Sequence, residues 1–353
     1  MSIEREVLLE ILRDACRAPS ADNTQPWRFI VESDTIRVIN TGDQVESIFN
    51  YRQMANHVSL GACIENLCVS AEGHGFQVDL TLFPDPSNRL VVARVVLIQN
   101  VGVTNGLAPF IKHRASNRKK YHPKKIVPDV LAQFGVLADG VGGRMALISN
   151  EEDVKAMSHT ISVGEKLALE TKSIHDFLFE HVTWTKKEDG EKHGFLIDTF
   201  EFTPPQRAAF KLFSNWNILK FFLPLGIADF IAHDMEKVHA TAAVFGAIIM
   251  PGKEDEDYLK TGILFERLWL AATKLDLSLH PTSGLNFFAM PILEGNYFGL
   301  RASAVELLTN RYRELAEQFG VAIGETVTIA FRLGHADPPS AVTTRFEPNV
   351  TWL

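Results

Sequence analysis

Two stretches of this chain repeat one another, and that repeat limits the fold more than any other feature of the sequence. Gly61, Glu65, Leu67 and Ala71 recur at constant offset as Gly262, Glu266, Leu268 and Ala272. Each set sits in a run with apolar residues at helical spacing, and each run leads into a β-rich stretch. A third echo pairs residues 90–97 with 326–333, two apolar, β-branched runs readable as buried strands. Two unrelated core helices can share a few letters by chance. A glycine, a glutamate and an alanine held in register are harder to obtain that way. The repeat predicts two tandem half-domains, each combining helices with strands.

Composition narrows the class. Hydrophobic residues make up 46% of the 353, enough for a sizeable core, and the length suits two domains or one large one. The net charge of −8 argues against a nucleic-acid or anionic-membrane partner. A basic run at 112–125 is the exception. Cys16, Cys63 and Cys68 do not form a disulfide framework or zinc pattern. No signal peptide is visible, so a cytoplasmic location is expected. The most apolar stretch, 218–232, is broken by Lys220, Pro224 and Asp229 and is short for a bilayer.

Periodicity predicts a helix over 1–18, a hairpin from 27–31 and 35–39, a helix over 57–74, and strands at 77–83 and 90–98. The join between halves falls near 101–109, which puts the N-terminal half at 1–105 and the C-terminal half at 106–353. A helix opening at Val127-Pro128-Asp129 and a strand at 144–148 follow. Residues 151–257 have no counterpart in the first half and read as a helical insertion, with helices near 154–178, 205–213 and 228–243 and a strand at 244–250. Phe195, Phe200, Phe202, Phe210, Phe213, Trp216, Phe221 and Phe222 crowd this insertion. They form either its own core or a lid over a site. In the lid reading, deleting 190–213 leaves the site's binding residues in place. His175, His181, His233 and His239 are spaced six apart in pairs, a poor arrangement for a metal, and read as core or solvated residues.

The densest motif is Ala18-Pro19-Ser20-Ala21-Asp22-Asn23-Thr24-Gln25-Pro26-Trp27-Arg28-Phe29. Pro19 fixes φ, and Ser20, Asp22 and Asn23 carry short side chains that bond nearby backbone. Such a turn can present amides and hydroxyls to a planar polar ligand. The motif resembles the Ala-Pro-Ser-x-x-Asn-x-Gln-Pro-Trp-x-Phe signature of the flavin-dependent nitroreductase family. His113-Arg114-Ala115-Ser116-Asn117-Arg118-Lys119-Lys120-Tyr121 resembles that family's Arg-x-Ser-x-Arg phosphate motif, which normally precedes the Pro-Ser turn. Guanidinium forks suit a phosphate.

The reversed order has a consequence under this resemblance. Family members are homodimers with FMN at the subunit interface. Here residues 1–17 lack the phosphate motif, and 138–143 lack a second Pro-Ser turn. The resemblance therefore implies an α+β, nitroreductase-like fold, a fused pseudo-dimer resembling the tandem, Acg-type branch, with one composite FMN site. It implies FMN contacts from Pro19, Ser20, Asn23, Gln25, Arg114, Ser116 and Arg118. Pro281, Thr282, Ser283 and Gly284 match a turn whose amide faces the flavin, and Arg345 matches a basic residue that reaches the phosphate. Arg332 is the plainer alternative, a strand-edge charge. The implied activity is flavin-mediated hydride or electron transfer to a small conjugated acceptor such as a nitroaromatic or quinone, with NAD(P)H as a possible donor. Alternatives are a flavin-sequestering or redox-sensing protein, or a specialised flavin dehydrogenase of secondary metabolism. Flavin carries the hydride, so no catalytic triad or metal is expected. A monomeric pseudo-dimer is expected, with further homodimerisation left open.

Overall fold

The computed structural model describes residues 3–44, 46–138 and 140–353. The first two residues of the helix expected over 1–18, and Asp139 of the stretch 138–143, lie outside them.

The N-terminal part contains α1 (Arg5–Ala15), whose Leu8, Ile11, Leu12 and Ala15 form one buried stripe. The hairpin β1 (Trp27–Glu32) and β2 (Thr35–Asn40) pairs Glu32 with Thr35 across a turn in which Ser33 takes φ 59°. Helix α2 (Met54–Gly73) is buried on almost every side, and β3 (Phe76–Leu82) and β4 (Val91–Gln99) close the unit.

Further along the chain come α3 (Pro128–Val136) and β5 (Arg144–Ile148). A helical stretch then intervenes: α4 (Glu151–Ile161), α5 (Val163–Glu170) and α6 (Lys172–Glu180). A two-residue parallel pair, β6 (Val182–Thr183) and β7 (Phe195–Leu196), brackets α7 (Lys186–Asp189). Helices α8 (Pro204–Phe213), α9 (Trp216–Phe222) and α10 (Ile227–His239) complete the stretch. The core elements resume with β8 (Val244–Met250), α11 (Asp255–Lys274) and β9 (Ser278–Pro281). Helices α12 (Gly284–Leu293) and α13 (Ala302–Gln318) lead to β10 (Thr326–Gly334). The final strand, β11 (Val350–Trp352), runs parallel to β1.

The architecture is α+β. The five-stranded sheet has the order β11-β1-β2-β4-β3 and the four-stranded sheet β5-β8-β10-β9. Without β11, the two orders are the same when strands are matched in chain sequence. Three sequence expectations change in detail. The helical stretch ends at His239, because β8 is a central strand of the second sheet and not part of the insertion. Its seven residues are all buried, as a strand covered on both faces requires. The single helix expected over 154–178 is three helices, broken at Ser162 and Thr171. The 218–232 stretch is two short helices bent at Gly226, φ 80°. No helix among the described residues is long and apolar enough to cross a membrane. The C-terminal tail returns to the first sheet as β11, so the 106–353 segment is not confined to the second.

The two repeat helices, α2 and α11, cross at their matching glycines. A Cβ on Gly61 would stand 2.0 Å from the Leu259 carbonyl oxygen, and one on Gly262 would stand 2.0 Å from that of Val58. The backbones therefore touch where only glycine fits. The repeat glutamates flank this crossing. Glu65 takes a two-pronged contact from Arg267, at 2.7 and 3.0 Å, and Glu266 lies 2.9 Å from Arg114 Nε.

Candidate functional site

The turn after α1 carries unusual backbone strain. Asp22, Asn23 and Gln25 have φ of 49°, 55° and 49°. Asn and Asp tolerate this left-handed region, but Gln does so at a cost. Strain of this kind persists only where neighbours enforce it. The Ser20 hydroxyl accepts from the Gln25 amide at 3.0 Å, and Ser59 of α2 accepts from the Ala21 amide at 3.1 Å. The C-terminal tail supplies the other wall. Asn23 donates to the Thr344 carbonyl at 3.2 Å, and Arg345 donates to Asn23 Oδ1 and to the Ala18 carbonyl.

This turn opens on a cavity of about 410 Å³. Ten of the twelve residues expected at a cofactor line it: Pro19, Ser20, Asn23, Arg114, Ser116, Arg118, Pro281, Ser283, Gly284 and Arg345. They come from four separated segments of the chain. Gln25 does not line it. Its amide nitrogen donates to the Thr344 carbonyl and its oxygen accepts from the Phe346 amide, so it fastens the tail to the turn. Thr282 does not line it either; it is buried, with its amide on the Ala330 carbonyl. Ser283 reaches the cavity, but its hydroxyl is bonded to the Ala330 carbonyl and amide, which fixes the turn to β10. Gly284 starts α12, and a Cβ there would meet nothing closer than Phe288 at 4.0 Å, so the space above it is open.

Arg332 is not a strand-edge charge. It is fully buried in β10 and donates to the carbonyls of Val238, at 3.0 Å, and Lys119, at 2.9 Å. It thereby anchors the end of the 114–118 segment. Asn117 anchors the middle, with its amide nitrogen on Ser278 Oγ and the Asp337 carbonyl.

Three guanidiniums, Arg17, Arg114 and Arg345, line the cavity and interact electrostatically. Burial, then the nearby Arg114, drives Arg345 down to about 9. Burial, then Arg332, drives Arg118 down to about 10. Cations held this unfavourably suit an anion in the cavity. Arg114 is also committed internally, to the fully buried Glu266 and to the Arg17 carbonyl. Burial, offset by Arg114, raises Glu266 to about 7.

The helical insertion forms one side of the cavity. Ile174, Phe177 and Leu178 of α6, with Phe195 and Thr199, face inward. Phe177 stacks on Phe49 at 3.6 Å between ring centroids, with Phe288 edge-on to Phe49. Phe200, Phe202 and Phe210 instead pack on one another, 5.0–5.5 Å apart. The aromatic cluster is thus both core and cavity wall. The insertion is also tied to the binding segments. Asp189 accepts from the Thr344 amide and hydroxyl, and His193 contacts the Asn23 carbonyl. Deleting 190–213 would therefore remove support from the turn as well as a cover. His175 and His239 are core residues, each about 1% exposed.

Sequence reading missed Arg17, Asp22, Phe49 and Phe177 as cavity residues. Asp22 stood inside the motif but was read only as a turn former. Phe49 and Phe177 carry no local signal, since the fold alone brings them together.

Comparison with known proteins agrees with the motif. Residues 1–51 match the model of the Nitroreductase family. The likeness to that family model runs through the segment that carries the strained turn. The Mycobacterium tuberculosis protein named "Putative NAD(P)H nitroreductase acg" is 25% identical over 204 residues, 56% of this chain and 61% of that protein. The match thus spans less than two thirds of that relative's length. Another M. tuberculosis protein with an NAD(P)H nitroreductase name is 28% identical over 156 residues, 44% of this chain and 45% of its own. Among solved structures, a nitroreductase with bound FMN from Bacteroides fragilis gives a TM-score of 0.38 at 14% identity, covering 69% of this chain and 95% of that one. The FMN-dependent nitroreductase NfnB from Mycobacterium smegmatis, in complex with NADPH, gives 0.36 at 18% identity, covering 67% and 96%.

Proposed function

We propose that this chain is an FMN-dependent oxidoreductase built from two tandem halves, with one flavin site, passing reducing equivalents to a small conjugated acceptor such as a quinone or nitroaromatic. The observation that carries this reading is the convergence of four distant segments on one cavity whose wall includes an arginine cluster. Arg345, Arg114 and Ser116 would hold the phosphate, the hydroxyl of Ser116 being free of hydrogen bonds among the described residues. Ser20 and Asn23 would face the rest of the cofactor, and the 281–284 turn would present backbone to the ring. FMN, when bound, supplies the two-electron chemistry. The protein's share is to position it, to neutralise its phosphate and to shape what reaches its face. NAD(P)H is the proposed donor.

The Phe49–Phe177 stack favours a second reading, in which the cofactor is shielded from nicotinamide and the protein sequesters flavin or senses redox state. Anaerobic titration of the FMN-loaded protein with NADPH and NADH separates the two. Bleaching of the flavin absorbance supports the oxidoreductase. A flavin that photoreduces but stays yellow with both nucleotides supports the shielded cofactor.

A further inference from the structure

We propose, resting on the flavin oxidoreductase reading, that Asp22 is the catalytic acid of this site and protonates the oxygen of a quinone-class acceptor as it is reduced. Asp22 lines the cavity from the crest of the strained turn, at φ 49°. Among the described residues its carboxyl makes no hydrogen bond and no ion pair. A carboxyl in a cavity wall with no protein partner is placed to meet a ligand. Arg118 lines the same cavity from the 114–118 segment. It too has no ion pair among the described residues, and its only hydrogen bond is a 3.4 Å contact to the Thr199 carbonyl. Proton donor and fixed cation therefore face one space without neutralising each other.

The surrounding groups fit a donor that is refilled from outside. His181 follows α6, and its Nδ1 lies 2.9 Å from the Phe177 carbonyl, which fixes the orientation of the ring. The ring is half-buried and acts electrostatically on Asp22. His193 and Arg345 bond Asn23, the next residue, while α2 gives the turn only the neutral Ser59. Burial raises the Asp22 carboxyl, and His181 and Arg118 pull it back, so it keeps a proton to a higher pH than an ordinary aspartate.

The step balances as follows. The acceptor gains two electrons and one proton as a hydride equivalent from reduced flavin, itself reduced by a nicotinamide. The O–H bond of Asp22 breaks, and a new O–H bond forms at the acceptor's oxyanion. Arg118 stabilises that oxyanion as it develops. The Asp22 carboxylate is reprotonated from solvent past His181.

The test is Asp22→Asn in the FMN-loaded chain. Asn tolerates the left-handed backbone at least as well as Asp, so the turn should persist. Reoxidation of reduced protein by benzoquinone, followed by stopped flow, should slow on the order of a hundredfold, the usual worth of a general acid. The wild-type rate should fall as pH rises through the Asp22 pKa, and that dependence should be flat in D22N. Asp22→Glu should recover part of both. Independently of turnover, the infrared spectrum of the flavin-free wild type should contain a protonated carboxyl band that D22N lacks. A flavin-loaded D22N with wild-type rates and pH profile, or a flavin-free D22N with unchanged carboxyl bands, overturns the proposal. A wild-type chain that binds no FMN overturns the functional reading beneath it.

Discussion

The two sheets share a strand order but differ in what joins their strands. In the first, β1 and β2 meet through a two-residue turn, and β3 and β4 through residues 83–90. In the second, seven helices separate β5 from β8, and α12 and α13 separate β9 from β10. The position after β9 opens on the cavity through Pro281, Ser283 and Gly284. At the matching position after β3, Arg89 lies 3.7 Å over the Phe83 ring and pairs with Asp255 of α11 at 3.0 Å. The same strand order thus carries different loops, and the loop after β9 is the one that opens on the cavity. The asymmetry lies in the loops, where binding residues concentrate in general.

The glutamates at the helix crossing offer the sharpest way to break this comparison. Arg114–Glu266 is sealed, with side chains 3% and 0% exposed, whereas Arg267 is 31% exposed over Glu65. Arg114→Ala should cost about 3–5 kcal/mol in urea unfolding, because it leaves the buried Glu266 carboxyl without its charged partner. Arg267→Ala should cost clearly less. Equal losses would show that the two sides are alike. Glu266 also sets a pH signature. Its folded pKa, about 7, lies above its unfolded value, so its contribution favours folding at low pH and is lost as pH rises toward 7. Glu266→Gln should remove that part of the slope, read from denaturation midpoints across the range.

Next in size is the cationic end of the open site. Arg345→Ala should weaken FMN roughly tenfold to a hundredfold, from a lost charge-assisted bond worth about 1.5–3 kcal/mol. Riboflavin, without the phosphate, should be nearly indifferent by fluorescence titration. Equal weakening of both ligands would mean that Arg345 acts by holding the turn through Asn23.

The glycine crossing tests the contact between α2 and α11. Gly61→Ala and Gly262→Ala each push a Cβ into the other helix, and each should destabilise by about 1–3 kcal/mol. Similar losses are expected for the pair; a loss at one position only would contradict a symmetric contact. The smallest effect expected is that of Phe177→Ala, which removes one ring of the stack with Phe49. Reduction by NADPH should speed up a few-fold, and no change would mean the stack does not limit access.

Much of this was legible in the sequence. The repeat located α2 and α11, because a close helix crossing demands glycine at both positions. A continuous apolar run located β8 at its observed limits, but not its place in the second sheet, since pairing partners lie far apart in the chain. The motifs found ten of the twelve expected residues on the cavity. Gln25 and Thr282 lie off the cavity, because a polar residue in a binding motif can hold the loop. Arg332 was misread because its partners are backbone carbonyls, which leave no trace in residue identity. The stack of Phe49 on Phe177 joins two segments with no local pattern in common.

The central claim, one flavin site made by unequal halves, is tested most directly by counting cofactor. The protein is saturated with FMN, freed of excess by gel filtration and denatured, and released flavin is measured by absorbance against protein from amino-acid analysis. The account predicts one FMN per chain. A ratio near two would mean that the position of Phe83 and Arg89 is a second working site, and a ratio near zero would contradict the assignment of the cavity to flavin.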